Sequence, residues 1–298
     1  MTQFLQATVT GLGLASIYIL LALGFVIIYK SMQVLSFAHP ALTIAGAYIV
    51  SLLATEGGLS FWVAVPLGLV AAGVLGWLSE RIFVRPMIGK PVFAIAILTI
   101  GLDIMLRTPV TTFIGLDLRS VGHPWAFKTW RWGEVVVQQR FAAMVIAAVV
   151  VVALLFAFFR YSRVGLAMRA TAFDQETALA QGINVARIFS LAWVLAGAMA
   201  ALAGVFASTG LAGLNQNTAG IALRALPAIV IGGLDSISGA VVGGLVVGLV
   251  EAYTATYQPQ YAGFLGSNFS LVIPYVVMLL VLLVRPHGLF GTKEVERV

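Results

Sequence analysis

The sequence of 298 residues contains no cysteine and few charged residues. Without cysteine there is no disulfide, no thiol chemistry and no cysteine-bound metal. Only 9% of the residues are charged, whereas soluble domains carry about 25%. The composition therefore excludes an ordinary soluble domain.

The residue clusters of common catalytic sites are also missing. The histidines His39, His123 and His287 have no acidic cluster nearby, so neither a metal site nor a nucleophile–base pair is expected. Gly89-Lys90 is followed by proline, not by the Ser or Thr that ends a phosphate-binding loop. We therefore expect no enzyme and no cofactor bound by this chain; if ATP is used, it is bound by another chain.

Long apolar runs are what the sequence does contain. Hydrophobic residues make up 61% of the chain and the mean hydropathy is +1.03. Several runs exceed the roughly 18 residues that mark a membrane-spanning helix. We predict an all-α, polytopic integral membrane protein with eight or nine spans in one domain over residues 1–298. The N-terminus lacks the basic region of a cleavable signal, so its apolar run is expected to stay. The apolar segments are 6–29, 33–55, 61–84, 92–115, 141–159, 187–210, 220–233, 238–257 and 270–285.

The Lys and Arg residues between these segments predict the orientation, because cytoplasmic loops are richer in them. The richer set of loops would be cytoplasmic, with the N-terminus outside and the C-terminus inside. That outcome requires the short segment 220–233 to cross the membrane, as a short or broken helix. Pro40 could break the second segment and so change the number of spans. The net charge of +6 then reflects the inner membrane surface, and no nucleic acid is expected. The richer set holds Lys30, Arg81, Arg85, Lys90, Arg160, Arg163, Arg169, Arg187, Arg285, Lys293 and Arg297; the poorer set holds Arg119, Lys128, Arg131 and Arg140.

The longest polar interruption on the basic side is the segment of about 160–187. Ala170 to Gln181 has the spacing of one short amphipathic helix, Gly182 is a typical helix stop and Asn184 a typical cap for the next helix. Such a helix between two spans is expected to dock on a soluble partner. The alternative is a solvated loop helix.

On the opposite side, the loop 116–139 carries Trp125, Trp130 and Trp132, which form either an interfacial belt or a docking surface.

Small and ionisable residues within the spans predict packing. The pairs Gly239/Gly243 and Gly244/Gly248 have the small-xxx-small spacing of closely packed membrane helices. Asp103 and Arg107 stand four residues apart and are expected to pair. Arg224 and Asp235 border the short segment, where either could lie at an interface, and Glu251 is expected near the outer end of the glycine-rich helix.

Four motifs occur in order along the chain. They are GLASIYILLALGFVIIYKSMQVLSFAHPALTIAGAY at 13–48, the polar segment, GGLDSISGAVVGG at 232–244 and VRPHGLFG at 284–291. Together they resemble the permease subunit of ATP-binding-cassette (ABC) importers for branched-chain amino acids, the high-affinity hydrophobic amino-acid uptake group. The resemblance implies the ABC-importer permease fold and a multi-pass location in a bacterial or archaeal plasma membrane. In the polar segment it implies ATPase-coupling roles for Gly165, Arg169, Ala170, Asp174, Ala178, Gly182, Ile183 and Arg187.

The same resemblance implies a translocation path, and the sequence departs from the family pattern at a few positions. Ser36 and Pro40 stand where the family often has Asn and Gly, and Lys30 and Asp235 replace smaller residues. These departures leave urea, short amides and other amino acids open as substrates beside leucine, isoleucine and valine. The path residues that the resemblance implies are Ser36, Phe37, His39, Asp235 and Ser236.

The implied partners are a homologous second permease or a second copy of this chain, two ABC ATPase subunits that carry ATP-Mg, an extracytoplasmic solute-binding protein and the lipid bilayer. A secondary transporter or channel working alone is the rival class. Such proteins more often carry paired carboxylates or ion sites at mid-membrane, and here the acids within spans are sparse.

Overall fold

The computed structural model describes residues 2–125, 128–133, 135–210, 213–266 and 268–292. The terminal cations Lys293 and Arg297, and residues 126, 127 and 134 of the tryptophan-rich loop, lie outside the described residues. The helices are α1 Thr2–Met32, α2 His39–Ser51, α3 Phe61–Ser79, α4 Val92–Ile114, α5 Gln139–Tyr161, α6 Arg163–Phe173, α7 Gln175–Ala180, α8 Val185–Ala207, α9 Gly220–Arg224, α10 Leu226–Gly232, α11 Ile237–Tyr261 and α12 Ile273–Val284.

Shorter elements extend or join these helices. A π turn, Leu52–Glu56, continues α2, and a π turn with a 3-10 turn carries α3 on to Met87. Further 3-10 turns are Gln216–Ala219, Gly263–Leu265 and Phe269–Leu271. The strands β1 Thr129–Trp132 and β2 Val135–Gln138 form an antiparallel hairpin in which Thr129 faces Gln138.

Six of the described helices are long and apolar enough to span a membrane: Thr2–Met32, Phe61–Met87, Val92–Ile114, Gln139–Tyr161, Val185–Ala207 and Ile237–Tyr261. Phe269–Val284 is a shorter apolar helical stretch. The predicted class is confirmed: the protein is an all-α, multi-pass membrane protein.

The helix ends define two ends of the bundle. We call the end that carries Lys30, Arg85 and Arg169 the basic end, and the end that carries Trp125 and Trp130 the tryptophan end. The segment 214–235 joins them as a broken helix, because Leu214 pairs with Arg119 at the tryptophan end while the Asp235 carbonyl accepts from Lys30 at 3.2 Å. The break falls at Ala225, between α9 and α10, just before Pro227 in the first turn of α10.

The core is built around α1, which packs on α11, α8 and α5. The most apolar stretch of α1 is 89% buried, while α4 and α5 are mostly exposed apolar surface. A helix that is apolar all round belongs in an interior, and the exposed apolar faces of α4 and α5 are suited to lipid. Gly244 and Gly248 lie against Ile19 and Ala15 of α1, so the backbones of α11 and α1 approach closely.

Candidate functional site

The polar segment at the basic end forms two helices with a break at Asp174. The single helix predicted over 170–181 is wrong, because Asp174 is extended and its carboxylate accepts the backbone N–H groups of Glu176 and Thr177 at 2.9 and 3.0 Å. These bonds start α7 with a new cap. The expected boundary at the far side is confirmed: Gly182 has a φ of +79° and Asn184 accepts the Arg187 N–H at 3.1 Å.

The outer surface of α6 and α7 forms a groove of about 430 Å³. Phe173 lines this groove with 88% of its surface exposed, which places a large apolar side chain where a partner could cover it. Of the predicted coupling residues, Gly165 is buried against the backbone at Phe158, while Gly182 and Arg187 lie beyond the groove. The groove residues are Leu166, Arg169, Ala170, Phe173, Asp174, Thr177, Ala178, Gln181 and Ile183.

On its inner side the polar segment contacts the ends of the spans. Gln175 donates its side-chain amide to the Ser31 carbonyl at 3.3 Å, at the last turn of α1. A second cavity, of about 580 Å³, lies between α6, the end of α1 and the end of α10. Arg169 and Phe173 line it from α6, and Val230 and Leu234 line it from the short crossing. The polar segment therefore contacts a core helix and shares a cavity with the broken one.

The motif VRPHGLFG packs onto the end of α10. The N–H groups of Leu289 and Phe290 donate to the Ile231 and Gly232 carbonyls at 2.8 and 2.9 Å. These carbonyls belong to the last turn of α10 and would otherwise have no helical partner. Asp235 accepts hydrogen bonds from Thr292, which attaches the tail to the start of the next span.

The predicted path residues occupy two separate places. Ser36, Phe37 and His39 lie in the chain that returns from α1 into the bundle, where His39 is fully buried and stacks on Phe25 with ring centroids 3.9 Å apart. Asp235 and its neighbour Ser236, which caps α11 by accepting the Gly239 N–H at 3.0 Å, lie at the basic end.

Helix α2 begins at mid-depth. The Ala41 N–H donates to the Asp103 carboxylate at 2.8 Å, and Asp103 stands halfway along α4. The expected pair between Asp103 and Arg107 is present, at 3.0 Å. Pro40 is accommodated in the first turn of α2, where its missing N–H costs no helical hydrogen bond. A helix start at mid-membrane is typical of transporters, which use interrupted helices near their paths.

A polar cluster inside the bundle escaped the sequence reasoning. Glu251 was expected near the outer end of its helix. It is instead buried midway along α11. It accepts a hydrogen bond from Tyr18 at 2.5 Å. The signal that could have placed it is the run AYTATYQPQY, which extends the helix to Tyr261 and moves Glu251 away from its end.

A buried ion pair at the basic end was also missed. The Glu80 side chain is fully buried and accepts two hydrogen bonds from Arg85, at 2.9 and 2.8 Å. Ser190 on α8 contacts both partners, at 2.7 and 2.6 Å. This network joins the end of α3 to α8.

At the tryptophan end, aromatic side chains pack between the loop and the spans. Trp125 meets Phe61 edge-on, with ring centroids 5.2 Å apart. His123 accepts the Gly210 N–H at 3.2 Å. Partial burial, with a smaller contribution from the charge of Arg140, lowers the pKa of His123 below its ordinary value.

Among the described residues no group of three or more His, Cys, Asp or Glu side chains could hold a metal.

The sequence matches, over residues 7–282, the family described as the permease component of the branched-chain amino acid transport system. The chain belongs to the permease family of branched-chain amino-acid ABC transporters. This permease is 34% identical to the high-affinity branched-chain amino acid transport system permease protein LivH of Escherichia coli K12, over 99% of this chain and 98% of that one.

The permease is also 30% identical to the high-affinity branched-chain amino acid transport system permease protein BraD of Pseudomonas aeruginosa, over 99% of this chain and 98% of that one. Among solved structures it aligns with a chain of PsaBC from Streptococcus pneumoniae in complex with Fab, at a TM-score of 0.47 and 16% identity, covering 94% of this chain and 91% of that one.

Proposed function

We propose that this chain is a membrane subunit of an ATP-driven importer of branched-chain amino acids. Two permeases, this chain with a homologue or a second copy, form the path; two ATPase subunits bind at the basic end; and a soluble receptor delivers the substrate at the tryptophan end. The observation that carries the proposal is the groove lined by Phe173, on a segment that also contacts α1 and shares a cavity with the broken crossing. The basic end is then cytoplasmic, with the N-terminus outside.

Coupling needs no chemistry in this chain. An ATPase subunit that holds α6 and α7 moves them when its nucleotide dimer closes. Gln175 and the residues lining the 580 Å³ cavity pass that displacement to the ends of α1 and α10. ATP then shifts the population between inward-facing and outward-facing states through the different contacts that the ATPase makes in each. ATP-Mg stays on the ATPase subunits.

Asp235 was expected to line the translocation path, but its hydrogen bonds give it little bearing on which substrate is transported. Its carboxylate is occupied by Thr292 and its carbonyl by Lys30, both at the basic end. The acidic residue therefore fits a role in attaching the C-terminal tail, and it gives no reason to prefer urea or short amides over branched-chain amino acids.

The docking of the ATPase is tested with Phe173→Asp. Because Phe173 is 88% exposed, this change should not affect folding, yet it places a charge on the proposed apolar contact. We expect the ATPase to be lost on co-purification. Phe264→Asp is the matched control, since Phe264 is 87% exposed and follows α11 at the opposite end; it should retain the ATPase. Equal ATPase recovery in both variants would remove the groove from the proposal.

The coupling role is tested with Arg169→Glu combined with Asp174→Lys. The double variant should abolish uptake and receptor-stimulated ATP hydrolysis while the protein stays in the membrane. Asp174→Asn is the control, because asparagine caps helices about as well as aspartate. Wild-type uptake in the double variant, or accumulation of leucine against a gradient by this chain reconstituted alone, would contradict the proposed function.

A further inference from the structure

Four polar side chains from four helices lie in the middle third of the bundle: Tyr18, Arg224, Glu251 and Tyr275. With a rise of about 1.5 Å per residue, they lie about 12–21 Å from the basic ends of α1, α10, α11 and α12. The hydrocarbon core of a membrane is about 30 Å thick. The cluster is therefore close to the middle of the membrane.

The inner members of the cluster are firmly held. Tyr18 donates to Glu251 at 2.5 Å, and both side chains are buried. Tyr275 donates to the Leu223 carbonyl at 3.3 Å, next to Arg224 in the chain. Arg224 is within electrostatic range of Glu251 and of both tyrosine hydroxyls.

Arg224 itself faces outward. It is exposed, as is its neighbour Leu223, while Ala222 and Ala225 on either side are fully buried and fix the backbone. Among the residues that the structure describes, its guanidinium makes no ion pair within 4 Å. A charged side chain at this depth is costly against lipid and normally faces protein or water. The outer side of Arg224 therefore needs a polar environment.

We propose that Arg224 lines the translocation path and binds the carboxylate of the amino acid in transit. This inference rests on the proposed function, in which the path lies between two permeases. A guanidinium presents a fork of donors that matches a carboxylate. Glu251, which accepts a hydrogen bond from Tyr18, lies on the protein side of Arg224. Arg224 ends α9, one residue before α10, and the far end of α10 lines the cavity beside the polar segment, so a displacement of α10 would move the binding residue.

The test uses the absence of cysteine from this chain. Arg224→Cys is assembled with its partners in proteoliposomes and treated with membrane-impermeant methanethiosulfonates, one carrying a trimethylammonium group and one a sulfonate. We expect leucine uptake to fall at least about tenfold, the effect of losing one charge-assisted hydrogen-bonded contact. The cationic reagent should restore uptake and the anionic one should not. Leucine should slow the labelling of the introduced thiol, measured on this chain by mass spectrometry.

Two controls separate the possible outcomes. Leu154→Cys, on the exposed face of α5, should resist both reagents because it faces lipid. Arg224→Lys should keep part of the uptake because it keeps the charge. The inference would be overturned by wild-type uptake in Arg224→Cys, by equal rescue with both reagents, or by lost uptake without any labelling. Lost uptake without labelling would place Arg224 in a sealed contact between permeases. If the wild-type complex fails to import leucine, the proposed function fails before any variant is compared.

Discussion

The carboxylate of Asp103 lies 2.8 Å from the backbone nitrogen of Ala41 and 3.0 Å from the guanidinium of Arg107. One buried side chain thus fixes the start of α2 and neutralises a cation on α4. The Ala41 N–H and the Arg107 guanidinium both donate to this one carboxylate. The chain between α1 and α2 is held at mid-depth by this contact.

Asp103→Ala should destabilise the purified protein. The change leaves the Ala41 N–H and Arg107 without their acceptor, and a hydrogen bond to a charged group contributes about 1.5–3 kcal/mol. Asp103→Asn keeps one acceptor oxygen and should cost less, and so should Arg107→Gln because Arg107 is partly exposed. Thermal unfolding in detergent measures all three. An Asp103→Ala midpoint equal to that of the wild type would contradict this role.

Asp174→Ala should loosen α7 without unfolding the bundle. The variant loses the cap on the Glu176 and Thr177 N–H groups, which costs about 1 kcal/mol. Faster amide hydrogen exchange at these two positions, with normal exchange in α8, is the expected result. Asp174→Asn should restore protection. Unchanged exchange in Asp174→Ala would show that contacts other than the cap hold α7.

The spans and several helix ends could be predicted from the sequence because their causes are local. Long apolar runs have no stable place other than a membrane or a core, and Gly182 and Asn184 end and begin helices through their own backbone and side chain. The break at Asp174 was missed because helical spacing of apolar residues continues across it. An aspartate can cap a helix or sit on its surface, and periodicity does not distinguish the two.

Depth and clustering could not be predicted because they depend on distant residues. The start of α2 is fixed by Asp103, which is 62 residues away from Ala41. Glu251 meets Tyr18 across 233 residues. In the sequence Arg224 is a single cation inside an apolar segment, and only the fold brings it to the depth of Glu251 and two tyrosines.

Acidification should weaken the contact between His123 and Gly210 at the tryptophan end. His123 accepts the Gly210 N–H through a neutral ring nitrogen, and its pKa is lower in the folded protein than its ordinary value of 6.5. The contact is therefore complete above that value and is lost as the pH falls through the lowered pKa, because the protonated ring can no longer accept. Hydrogen exchange at Gly210, corrected for its intrinsic pH dependence, should show declining protection. His123→Phe should abolish this change; a persistent decline would assign it to another group.

Gly243→Ala should destabilise the protein while Gly101→Ala should not. A Cβ on Gly243 would overlap the Ala228 carbonyl oxygen of α10, and neither backbone can move without disturbing the broken crossing. Overpacking of this kind costs about 1–3 kcal/mol. Gly101, on the exposed face of α4, has no atom within 4 Å of an added Cβ, and alanine favours the helix by about 0.8–1 kcal/mol. The two variants make the same chemical change. Opposite shifts in the unfolding midpoint would therefore show that the loss of stability in Gly243→Ala comes from the close packing of α10 against α11. Equal shifts would mean that the two helices separate easily, and α10 could not then transmit movement from the polar segment to Arg224.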